Sequence, residues 1–94
     1  MNKLEALESV STLVENQLVT SLKLIREGSY GILSSTVKER EVKRFKTQNI
    51  SKEYSSILSD EEINIIIEYI LLKSGIKVND AELTKSKAPD LDER

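Results

Sequence analysis

The chain contains no cysteine and no histidine. Without cysteine there are no disulfides, thiolate metal ligands or cysteine nucleophiles. The absence of histidine also removes the usual zinc donor sets and the conventional base that would activate Ser34, Ser35 or Thr36. Aromatic residues are few, three tyrosines and one phenylalanine. Only Tyr30 and Phe45 lie near the most basic stretch, too sparse for a base-stacking platform. Of the three glycines, Gly28 and Gly31 lack the Lys-Ser/Thr element and preceding strand that a phosphate-cradling loop requires. Neither charge sign dominates: Lys and Arg number 14 against 16 Asp and Glu, a net charge of -2, so no global pull toward nucleic acid or membrane exists. The most apolar run, Ile63 to Leu72, is interrupted by Asn64, Glu68 and Tyr69 and falls short of the roughly 20 residues that cross a bilayer. After Met1-Asn2-Lys3 the sequence alternates apolar and acidic residues, unlike a secretory signal. These absences lead to the expectation of a cytoplasmic chain with no membrane span and no small-molecule cofactor, and they leave metal binding to carboxylates alone. No carboxylate spacing marks an acid/base pair or an EF-hand.

What is present is helical patterning. With 94 residues, one modest core is within reach and a second domain is not. Leu4, Leu7, Val14, Leu18 and Ile25 recur at helical spacing, widened by Val10, Leu13 and Leu22, which predicts an amphipathic helix of about six turns packed within a bundle. Ser11 and Ser21 fall on that stripe, against a coiled-coil seam. Two readings of Gly28 and Gly31 stand side by side. Either the helix breaks there and Ser29 caps a second one carrying Tyr30, Leu33, Val37 and Arg44 to about Phe45, or a single helix runs through both glycines at about 1 kcal/mol each. The polar stretch 46–51 predicts a loop, with Ser51 capping a short turn toward Leu58.

The fullest local signal is Leu58-Ser59-Asp60-Glu61-Glu62-Ile63. Ser59 and Glu62 form the reciprocal capping box, Leu58 and Ile63 occupy the staple positions, and three acids fill the first turn where the helix dipole favours them. A helix from Asp60 to Lys73 follows, stopped by Ser74-Gly75. It outweighs the strand that Ile65-Ile66-Ile67 alone would favour. Ile63, Ile66, Ile67 and Ile70 form one stripe while Ile65, Tyr69 and Leu72 lie elsewhere, more apolar surface than one neighbour covers. A short helix near Ala81 to Lys85 is predicted next. The fold is therefore expected to be all-α, a small bundle of three to four helices over residues 1–85, with a flexible acidic tail over 86–94.

Lys38, Arg40, Lys43, Arg44 and Lys46 place five positive charges within nine positions. Arg40, Lys43 and Arg44 share a helical face. They form either a stripe along a phosphate backbone or a solvated face laced with pairs to Glu39 and Glu41.

The order of Val37-Lys38-Glu39-Arg40-Glu41-Val42, a loop, then Leu58-Ser59-Asp60-Glu61-Glu62-Ile63, with Asp90-Leu91 late in the chain, resembles the N-terminal helical lobe of the YqeY-type, GatB-related family. The resemblance covers Leu33 to Leu91. Leu72-Lys73-Ser74-Gly75 stands where that family has a basic Lys-Gln-Arg element, and the family's second helical lobe has no counterpart. The resemblance implies a lone or truncated N-terminal lobe associated with tRNA-dependent amidotransferase biology, with no catalysis of its own and a basic stripe facing RNA.

Two functional expectations follow, neither of them enzymatic. One is a helical module contacting tRNA or an amidotransferase-like partner through Lys38, Arg40, Lys43, Arg44 and Lys46. The other is a small protein-binding regulator or adaptor, of the kind phages and plasmids carry, that binds a protein or self-associates through Ile65, Tyr69 and Leu72.

Overall fold

Asn2 opens the first helix with a capping box. Its side-chain oxygen accepts the Glu5 N–H at 2.8 Å, and the Glu5 carboxylate accepts the Asn2 N–H at 2.9 Å. The computed structural model describes residues 1–27 and 32–79. The expectations for Gly28 to Gly31, with Ser29 and Tyr30, for a helix near Ala81 to Lys85 and for a flexible acidic tail over 86–94 fall outside the described residues.

Helix α1 spans 3–27, longer than the expected Leu4 to Ile25, and is not uniform. Lys3–Leu13 and Thr20–Glu27 are α-helical, and Val14–Val19 between them is π-helical. The buried side chains explain the insertion. Ala6, Val10, Val14, Leu18 and Leu22 repeat every four residues, and in an α-helix each such step overshoots a full turn by about 40°. The stripe would slide off the core within four steps. A π turn, closed by i→i+5 hydrogen bonds, is wider and brings it back. Leu4, expected on the buried stripe, is instead 64% exposed; the stripe starts at Ala6.

Leu33 departs from both readings of the glycine region. It is extended, in a two-residue strand β1 (Leu33–Ser34) that pairs in parallel with β2 (Val78–Asn79). Its N–H donates to the Lys77 carbonyl at 3.1 Å. That bridge holds Ser34 extended and makes Ser34, not Ser29, the cap of helix α2 (Ser35–Asn49), its hydroxyl accepting the Val37 N–H at 3.1 Å.

The expected loop at 46–51 is also corrected, since α2 continues to Asn49. Polar side chains there bond back along their own helix: Thr47 Oγ1 donates to the Lys43 carbonyl at 3.0 Å and Asn49 Nδ2 to the Phe45 carbonyl at 3.1 Å. They therefore do not compete with the ladder from outside it. Helix α3 (Lys52–Ser55) is one turn, and Ser51 supports it with its backbone carbonyl, its hydroxyl making no cap bond.

Helix α4 (Asp60–Lys73) follows its sequence signals at both ends. Ser59 Oγ accepts the Glu62 N–H at 3.1 Å, the Glu62 carboxylate accepts the Ser59 N–H at 2.9 Å, and Leu58 and Ile63 are both buried. At the other end Gly75 takes φ +77, and the Ile76 and Gly75 N–H groups reach the Leu71 and Leu72 carbonyls at 3.0 and 3.1 Å. This is a Schellman stop with its apolar pair, Leu71 and Ile76, buried.

Two contacts align α1 with α4. Lys3 meets Glu62 at 2.7 Å near their starts, and an Arg26 guanidinium nitrogen donates to the Gly75 carbonyl at 2.9 Å beyond their ends, so the helices run parallel. Lys38 meets Glu68 and Lys46 meets Asp60, so α2 runs antiparallel to α4. Leu18, Leu22, Leu33, Phe45, Leu58, Ile63, Ile67 and Ile70 fill the space between. Each fully buried aliphatic side chain contributes about 1.5–3 kcal/mol. Among the described residues the architecture is thus all-α apart from one short parallel bridge. No helix among the described residues is long and apolar enough to cross a membrane.

Candidate interaction surfaces

The buried stripe of α4 comprises Ile63, Ile67, Ile70 and Leu71. At 100° per residue its opposite side carries Glu61, Ile65, Glu68, Tyr69 and Leu72. Ile65, Tyr69 and Leu72 are 61%, 63% and 79% exposed, and together with Glu61, Asn64 and Glu68 they line one shallow depression. The three sequence-predicted partner-binding residues therefore form one continuous apolar strip. Acid-base pairs flank it on both sides. Lys38 from α2 holds Glu68 at 2.6 Å, and Lys3 from α1 holds Glu62 at 2.7 Å. The Lys3 ammonium, and after it the Ser59 N–H, keep the Glu62 carboxyl below its ordinary range.

The five basic positions divide into two groups. Lys38 and Lys46 turn toward α4, where Glu68 and Asp60 take them at 2.6 and 3.2 Å. Arg40, Lys43 and Arg44 stay together on the outer side of α2, beside Thr47 and Gln48. Arg40 Nε lies 3.1 Å and Arg44 Nη1 3.2 Å from the Glu41 carboxylate. Lys43 makes no ion pair among the described residues.

Glu41 was expected only as a compensating acid. The structure makes it the anchor of this face, 4% exposed and reached also by the Ser21 hydroxyl at 3.5 Å. It lines a polar groove between α2 and the π turn of α1, together with Gln17, Ser21, Arg44, Gln48 and Asn49. A carboxylate with a basic residue at i−1 and i+3 is a visible signal for such an anchor; its burial follows from the facing helix and is not local.

Fold and surfaces together define a small all-α domain that carries an apolar helix face without a neighbour among the described residues and an arginine pair anchored on a buried carboxylate. No protein-family model matches the chain, and neither do curated proteins or solved structures.

Proposed function

We propose that this protein is a non-enzymatic helical interaction module whose working surface is the outward face of α4, and that it acts as a protein-binding regulator or adaptor. The observation that carries this is the exposure of Ile65, Tyr69 and Leu72 on one helix whose other face is already committed to the core. Folding gains nothing from three large apolar side chains held in water, whereas an apolar partner surface does. The paired charges beside them form a polar rim, the usual surround of an interface core.

A photo-crosslinking residue in place of Tyr69, compared with one at exposed Glu53, tests the reading. Covalent protein adducts are expected at Tyr69 and not at Glu53. Equal yield at both positions, or none at either, overturns it.

The RNA-facing role implied by the YqeY-type resemblance is a second reading, favoured by one feature. Glu41 holds Arg40 and Arg44 in place while their side chains remain more than half exposed next to Lys43. Guanidinium groups fixed in advance lose little freedom on meeting a phosphate. Tritration of tRNA against the chain and its Lys43→Glu variant at two salt concentrations tests it: weaker binding and a shallower salt dependence in the variant support the reading, and identical curves remove it.

A further inference from the structure

The charges around the α4 strip are arranged as a second copy of the same strip requires. Of the acids at the start of α4, Asp60 is taken by Lys46 and Glu62 by Lys3, and Glu68 halfway along is taken by Lys38. Glu61 is left, exposed and without an ion pair among the described residues. At the far end Lys73 and Lys77 are exposed in the same condition. Among the described residues, the start of α4 therefore has one negative charge without an ion pair, and the stretch from the end of α4 to Lys77 has two positive ones.

Resting on the interaction face proposed above, we infer that its occupant is a second copy of this chain, with the two α4 helices antiparallel about a twofold axis passing between Glu68 and Tyr69. In this arrangement Ile65 of each copy meets Leu72 of the other, and the Glu61 end of each lies against the Lys73 and Lys77 end of the other. A twofold interface is self-complementary, so each favourable contact occurs twice. The 14-residue helix is about 21 Å long, enough for both ends to engage at once. Antiparallel helices also set opposite dipole ends against each other. The like charges nearest the axis are the two Glu68 side chains, and Lys38 neutralises each within its own chain at 2.6 Å. A parallel pairing instead sets Glu61 against Glu61 and lysine against lysine. One helix face is a small interface, so the dimer is expected to be weak and reversible.

Sedimentation equilibrium of the full chain tests this with two charge-reversed forms, Glu61→Lys and Lys73→Glu/Lys77→Glu. The parent chain is expected to pass from monomer to dimer as concentration rises. Each reversed form alone should dimerise about tenfold more weakly, because each change sets like charges together twice. An equimolar mixture of the two forms restores opposite charges at both ends and should recover the parent affinity as a heterodimer, a result that also shows both forms to be folded. A monomeric parent chain, an unweakened Glu61→Lys form or a mixture that recovers nothing overturns the antiparallel pair. If the parent is monomeric yet Tyr69 still yields adducts with another protein, the second copy is wrong and the interaction face stands. If neither is seen, both fall.

Discussion

Arg44 Nη1 lies 3.2 Å from both carboxylate oxygens of Glu41, one helical turn earlier on α2, while that carboxylate is 4% exposed and the arginine side chain 55%. The burden of the pair is therefore uneven. Freed arginines can take up water, but a Glu41 stripped of its arginines cannot.

Arg40→Gln/Arg44→Gln is thus expected to destabilise the fold by about 3 kcal/mol, the consequence of leaving a buried charge uncompensated. Adding Glu41→Gln should recover most of that loss. Urea denaturation of the double and triple variants checks both. The same asymmetry governs any study of the basic face, since replacing both arginines with glutamate would unfold the anchor before it informed on RNA.

The link between Lys3 and Glu62 makes stability depend on pH in one direction. The Glu62 carboxyl is held low in the folded chain by Lys3 and by the Ser59 N–H. A carboxyl with a depressed folded value contributes stability that is complete above its unfolded value, about 4.3, and that is lost as pH falls through the folded value. Lys3→Met should move the Glu62 midpoint upward, toward the ordinary glutamate range, in a side-chain NMR titration. The stability difference between parent and variant should vanish at the acid end. An unmoved midpoint would show that the cap alone sets the value.

The π turn of α1 leads to a deletion that is expected to be tolerated. A π turn holds one residue more than the α turn it replaces, and Asn16 within it is exposed. Removing Asn16 lets Val14–Val19 close into regular helix with Leu18 and Leu22 still on the side of Ala6, Val10 and Val14. Helix α2 has no surplus residue, so removing exposed Lys43 turns Phe45 about 100° away from the core. The first deletion should melt near the parent temperature, and the second should leave no cooperative transition in a circular dichroism melt.

How much of this was readable in the sequence depended on the range of each signal. Both ends of α4 lie within a few residues of the groups that set them, so the Ser59–Glu62 box, the Gly75 stop and the outward position of Ile65, Tyr69 and Leu72 could be read directly. Asn2 and Glu5 have the same box spacing and could have been read the same way. The four-residue repeat from Ala6 to Leu22 signals a π turn, but only once Ala6 is counted as a core residue. Leu33 is different: its extended state depends on Val78, 45 positions away in the register of the bridge, and no local pattern contains that partner. The basic residues were visible as a group, while their division was not, because Glu68 and Asp60 reach Lys38 and Lys46 only through the packing of α4 on α2.

Ile65 and Ile67 are two residues apart on α4 and should behave in opposite ways. Ile67 is 1% exposed within the core, so Ile67→Ala is expected to cost about 2–5 kcal/mol through lost burial and the cavity left behind. Ile65 is 61% exposed, so Ile65→Asp should stay within about 0.5 kcal/mol of the parent, as surface changes generally do. If the outward face is the working surface, Ile65→Asp should nevertheless abolish adducts from a crosslinking residue at Tyr69. Paired urea denaturation and crosslinking on the two variants separate the roles. A folded Ile65→Asp variant that still forms the adducts would mean that the contact at Tyr69 does not depend on the apolar strip, and the exposed apolar side chains of α4 would need another explanation.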